Sequence, residues 1–135
     1  MSPVDPAVLL FANDAFYLAF NNRDMTQMSA LWSEGAICSC IHPGWQPLVG
    51  REAVLESWAG IFESQDPSFQ IACHGARVIS LGDTYQVICF EELPGGWLVA
   101  SNLFVVESGE PRLVSHQASQ CMEPPDIDEP EDILQ

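Results

Sequence analysis

The chain has 135 residues, enough for one hydrophobic core and too few for two. Its charge is lopsided: 4 Lys and Arg against 19 Asp and Glu give a formal net charge of -15. Such a field repels phosphates, which argues against nucleic acid and against an anionic membrane surface as partners. No apolar run approaches the roughly 18 residues of a bilayer span. No basic segment precedes an apolar one at the N-terminus, so the expected compartment is the cytoplasm. Five cysteines at irregular spacing read as free thiols that pack like small apolar residues, not as a disulfide framework.

Asp5-Pro6 reads as an N-cap followed by proline at the first helical position. The helix that follows carries Leu9, Ala12, Phe16, Ala19 and Phe20 on one stripe. Val8, Phe11, Ala15 and Leu18 widen it, which predicts a helix largely covered by other structure. Asp24 caps a short second helix with Gln27 at the capping-box position, and Met25, Met28, Leu31 and Trp32 form its buried side. Residues 36–42 read as a strand ending at His42-Pro43. A tight loop then carries Trp45, and residues 51–64 form the clearest amphipathic helix, with Val54, Leu55, Trp58, Ile61 and Phe62 on one face. Four strands are predicted over 69–80, 84–93, 97–107 and 112–120, separated by turn signals at Gly82-Asp83, Pro94-Gly95-Gly96 and Ser108-Gly109. Connections this short make antiparallel hairpins. Residues 1–120 thus read as one α+β domain, and residues 121–135 as an acidic, Pro-rich flexible tail.

Pairing across Pro94-Gly95-Gly96 is expected to set Ile88 opposite Asn102 and Cys89 opposite Ser101. Pairing across Gly109 is expected to set Asn102 opposite His116. Asn102, His116, Ile88, Phe90, Phe104 and Ala118 then share one face, while Glu91 lies on the other with Val87, Leu103, Leu113 and Ser115. A His beside an Asn on a half-apolar surface suits a general base with an oxyanion-stabilising partner, and equally suits two buried polar groups that satisfy each other. Glu91 and Glu92, the carboxylates of an otherwise apolar strand, point to opposite faces. One of them either titrates high in a pocket or pairs with Arg77 or Arg112. Cys38, Cys40 and His42 share parity on a strand, but no C-x-x-C or H-E-x-x-H spacing accompanies them, and no metal is expected. Trp45, placed in a Pro/Gly loop, is expected to face a ligand.

Several words of the sequence resemble the SnoaL-like proteins of the nuclear-transport-factor-2-like (NTF2-like) superfamily. These are HPGWQPLVGREAVLESWAGIF (42–62), the Gly-Asp of 82–83, ICFEEL (88–93), ASNLF (100–104) and LVSHQAS (113–119). The resemblance implies an α+β cone of NTF2-like or cystatin-like type. In it a curved antiparallel sheet wraps a long N-terminal helix, with about three helices in all, an apolar pocket inside and a homodimer through the outer sheet face. It marks His42, Trp45, Trp58, Asn102 and His116 as pocket or architectural positions. It does not fix activity, because the superfamily holds isomerases, dehydratases, cyclases, epoxide hydrolases and noncatalytic modules. The isomerase arrangement of a Tyr with two acids and the Asp-Arg-Asp of the epoxide hydrolases are not recognisable in the sequence. The expected function is binding of a small apolar molecule, lined by Trp45, Trp58, Phe90 and His42. Cofactor-independent proton transfer would use His116 as base and Asn102 as its oxyanion partner. The alternatives are a noncatalytic dimerisation or protein-binding module and a metal-dependent hydrolase.

Overall fold

The computed structural model describes residues 4–123, 125 and 126. The expected flexibility of the acidic tail falls largely on 124 and 127–135, which lie outside the described residues. Three helices, α1 (Pro6–Asn21), α2 (Met25–Leu31) and α3 (Arg51–Ser64), pack with six strands. These are β1 (Ser39–Ile41), β2 (Leu48–Val49), β3 (Ala72–Ser80), β4 (Tyr85–Leu93), β5 (Gly96–Glu107) and β6 (Glu110–Gln120). The strands form one curved, open sheet in the order β2-β1-β6-β5-β4-β3.

The expected sheet was wholly antiparallel, and the structure differs at one seam. β1 runs parallel to β6, with Cys40 beside His116, and antiparallel to the short β2. β1 and β6 are joined through α3 and the whole meander, so no hairpin constrains their relative direction. β3 to β6 are successive antiparallel hairpins.

α1 is capped as its sequence indicates: the Asp5 carboxylate accepts from the Ala7 N–H at 3.0 Å, and Pro6 opens the helix. Leu9, Ala12, Phe16, Ala19 and Phe20 are buried, each large side chain contributing about 1.5–3 kcal/mol of apolar transfer free energy. The wider stripe is not covered: Val8, Phe11 and Leu18 are 45%, 77% and 53% exposed. The side turned inward beside the apolar residues is instead partly polar, carrying Asn13 and Tyr17 at 0% and 4% exposure.

Two details of register decide which side chains face α1. Of the two hairpins that place Asn102, the first, β4–β5, closes by pairing Leu93 with Gly96 across a two-residue Pro94-Gly95 turn, where Gly95 takes a φ of +95° that only glycine adopts freely. That sets Val87, not Ile88, opposite Asn102, one residue from the expected register. Val87, Cys89 and Glu91 therefore face inward, while Ile88 and Phe90 lie on the outer face. In the second hairpin Asn102 does pair with His116. It does so because β6 carries a bulge at Val114, between the pairs Phe104–Leu113 and Leu103–Ser115. The bulge turns Leu113 and His116 to the same buried face, although their spacing in a regular strand would separate them.

Candidate functional site

Between α1, α3 and the inner sheet face lies a pocket of about 320 Å³. α1 supplies Phe16, Tyr17 and Phe20 to its walls, α3 supplies Trp58 and Ile61, and the sheet supplies Glu91, Leu98, His116 and Ala118. The rim is built by the turn His42-Pro43-Gly44-Trp45. Proline and a glycine at φ +82° occupy its centre, and the Trp45 N–H donates to the His42 carbonyl at 2.9 Å. This places the Trp45 ring 4.7 Å from the His42 ring, half exposed over the opening. Trp58 is edge-on to Phe16 at 5.5 Å and to His42 at 4.6 Å, and its indole N–H has no hydrogen-bond partner among the described residues.

A chain of polar side chains runs through the wall. The Asn102 amide donates to Asn13 Oδ1 at 2.8 Å and to the Tyr17 hydroxyl at 3.3 Å, so its own Oδ1 is the acceptor facing His116 Nδ1 at 2.6 Å. His116 must therefore carry its proton on Nδ1 and leave Nε2 as the lone-pair nitrogen, a tautomer assigned from the network. Tyr17 donates to Glu91 Oε2 at 2.6 Å. Glu91 Oε1 has no hydrogen-bond partner among the described residues. Ser57 donates to the Val54 carbonyl and so accepts from His42 Nε2–H at 2.9 Å, which fixes the opposite tautomer on that ring.

Burial sets the protonation states. It raises the Glu91 carboxyl from 4.5 to about 6, against the Tyr17 hydrogen bond that pulls it down. Burial lowers His42 from 6.5 to about 4. Burial, with a smaller repulsion from His42, lowers His116 to about 3. Tyr17 titrates well above its usual range, first through burial and then through the neighbouring Glu91 charge. At neutral pH both imidazoles are thus uncharged, and Glu91 holds most of its negative charge inside an apolar enclosure.

Of the residues singled out in the sequence, His42, Trp45, Trp58 and His116 meet at this pocket. Asn102 is fully buried behind His116 and reaches the pocket through it. Phe90 does not line it, since the one-residue shift of the first hairpin carries it to the outer face. The same shift brings in Glu91, which had been expected on the face opposite Asn102. Glu91 pairs with neither arginine proposed for it; its partner is Tyr17. Tyr17 itself was missed, although its position one turn after Asn13 and beside Phe16 on α1 was a signal for it. All five cysteines are free thiols. Among the described residues no group of three His, Cys, Asp or Glu side chains is placed to hold a metal ion, and no helix is long and apolar enough to cross a membrane.

The chain is similar to solved proteins of one superfamily. It shares 30% identity and a TM-score of 0.79 with a provisionally assigned dehydratase of the NTF2-like family from Streptomyces avermitilis, over 87% of this chain and 96% of that one. It shares 31% identity and a TM-score of 0.74 with a protein from Thiobacillus denitrificans, provisionally assigned as a calcium/calmodulin-dependent protein kinase type II association domain. That match covers 82% and 93% of the two chains. Over 113 residues, 82% of this chain, it is 25% identical to the F-box protein SKIP8 of Arabidopsis thaliana, and it spans about half, 48%, of that relative's length. The family model of the SnoaL-like domain matches residues 10–123. With the cone, the pocket and this match together, the chain belongs to the SnoaL-like family of the NTF2-like superfamily.

Proposed function

We propose that this domain binds a small, largely apolar molecule in the pocket and moves a proton on it, as in isomerisation, dehydration or aldol-type cyclisation. The observation that carries the reading is Glu91, a carboxyl in the wall of an apolar pocket with one oxygen held by Tyr17 and the other without a hydrogen-bond partner among the described residues. Its titration near pH 6 suits a group that must both take and return a proton near neutrality. Glu91 is the base in this reading. His116, titrating near 3, is the weaker base by about three orders of magnitude. It serves as an uncharged acceptor through Nε2, steadied by Asn102, while His42, Trp45 and Trp58 form the apolar rim and wall. The S. avermitilis neighbour's provisional dehydratase assignment supports the same class of chemistry.

A second reading is a noncatalytic assembly module. It is favoured by the outer sheet face, where Ile88, Phe90, Val99, Leu103 and Val105 are only partly covered, and by the T. denitrificans neighbour's provisional name. A homodimer through that face is compatible with either reading. Native mass spectrometry of protein purified from cells separates the two. The binding reading expects a co-purified small molecule that Trp45→Ala and His116→Ala release. A pocket that holds nothing, and that excludes apolar dyes, would leave only the assembly reading.

A further inference from the structure

We infer that the pocket is built for an organic cation, a protonated amine or quaternary ammonium on an apolar body. The inference rests on the reading of this pocket as a ligand site and names the class of ligand. Glu91 is the only Asp, Glu, Lys or Arg among the described residues that line it. The groups that interact with that carboxylate are Tyr17 on α1, Cys89 on its own strand, Cys73 across the ladder on β3 and, electrostatically, Cys40 on β1, and the two imidazoles line the same pocket. None of them supplies a positive charge at neutral pH. Arg23 lies 4.9 Å over the Phe20 ring, but its guanidinium is held by the carbonyls of Phe20, Asp66 and Phe69, and it does not line the pocket. A desolvated carboxylate without a counter-ion is unfavourable, and a bound cation would relieve it.

The remaining walls suit the same guest. Phe16, Tyr17, Trp45, Trp58 and Phe69 surround the cavity with aromatic rings, and ring faces attract ammonium groups by about 0.5–2 kcal/mol each when water is excluded. The formal charge of -15 draws cations toward the mouth. A carboxylate or phosphate ligand would meet the opposite: a like charge inside and no cation to pair with.

The test titrates the full chain with three probes, followed by tryptophan fluorescence, in about 0.3 M salt to screen the net charge. The probes are benzyltrimethylammonium, its uncharged isostere neopentylbenzene, and 4-phenylbutyrate. The expected result is that the ammonium binds several-fold tighter at pH 8 than at pH 5, up to the roughly tenfold change in ionised fraction that a carboxyl titrating at about 6 allows, and at least about tenfold tighter to the wild-type chain than to Glu91→Gln at pH 8, as one buried charge contact predicts. The butyrate should not bind at pH 8. Binding of neopentylbenzene to Glu91→Gln shows that the variant retains its pocket. If the isostere binds the wild-type chain as well as the ammonium at pH 8, or Glu91→Gln leaves ammonium affinity unchanged, the cation inference is overturned while the pocket reading stands. If no probe binds at either pH, both are overturned.

Discussion

Replacing Glu91 by Gln should make this protein more stable and, where it has an activity, inactive. Burial raises the folded-state titration of Glu91 from 4.5 to about 6. Each unit is worth 1.36 kcal/mol, so above pH 6 the ionised side chain destabilises the fold by about 2 kcal/mol. Below pH 4.5 the carboxyl is protonated in both the folded and unfolded states, and the penalty vanishes. Between these limits the folded form binds more protons than the unfolded one, so this group makes stability fall as pH rises. Glutamine keeps an oxygen that can accept from Tyr17, now at 2.6 Å from Oε2, but loses the charge assistance of that bond. The expected gain for Glu91→Gln is therefore close to zero at pH 4 and about 1–2 kcal/mol at pH 8. Urea unfolding of both proteins at half-unit pH steps measures it. A difference that does not change with pH, or one that favours the wild-type chain at pH 8, would refute the placement of an ionised carboxylate in this wall.

Other perturbations follow from the same network. Asn102→Ala strips partners from Asn13, Tyr17 and His116 at a fully buried position, and should lower the unfolding free energy by about 3 kcal/mol in urea titrations. Tyr17→Phe removes the one hydrogen bond that lowers the Glu91 titration, so the Glu91 carboxyl should titrate higher than about 6 when followed by carbon-detected NMR. His42 and His116 stay neutral in the fold down to about 4 and about 3, whereas unfolded histidine takes up a proton near 6.5. The unfolded chain therefore binds more protons in this window, and stability should fall as pH drops from 6.5 toward 4. His116→Gln should flatten that slope in thermal melts. Trp58→Ala opens a hole beside Phe16 and Phe20 and should cost about 3–5 kcal/mol, read as a lower urea midpoint.

Most of the fold could be read from local patterns. The capped α1, the amphipathic α3 and the turn signals of the meander are short-range features, and α3 has the predicted bounds. Two things escaped. The parallel seam between β1 and β6 joins segments about 75 residues apart, and nothing local encodes its direction. The first hairpin turned on whether its loop has two residues or three. Pro94-Gly95 closes it in two, and that single choice exchanged Phe90 for Glu91 at the pocket. The pairing of Asn102 with His116 was expected from a regular hairpin, yet the structure reaches it through the bulge at Val114. Tyr17 was obscured for another reason. Hydrophobic periodicity ranked the α1 faces by apolarity, and so favoured the exposed Phe11 and Leu18 over the inward Asn13 and Tyr17.

The spare residue at Val114 also says what kind of change this part of the chain can absorb. With Ser108-Gly109 as a two-residue turn, an unbroken ladder would set Asn102 against Ser115 and point the imidazole at position 116 away from the helix. Substitutions between 108 and 116 alter side chains one at a time. Adding or removing a single residue there would reverse the facing of everything from Ser115 to Gln120 at once, including Ala118 in the pocket floor and the seam with β1. In this stretch it is the number of residues, more than their identity, that has to be preserved.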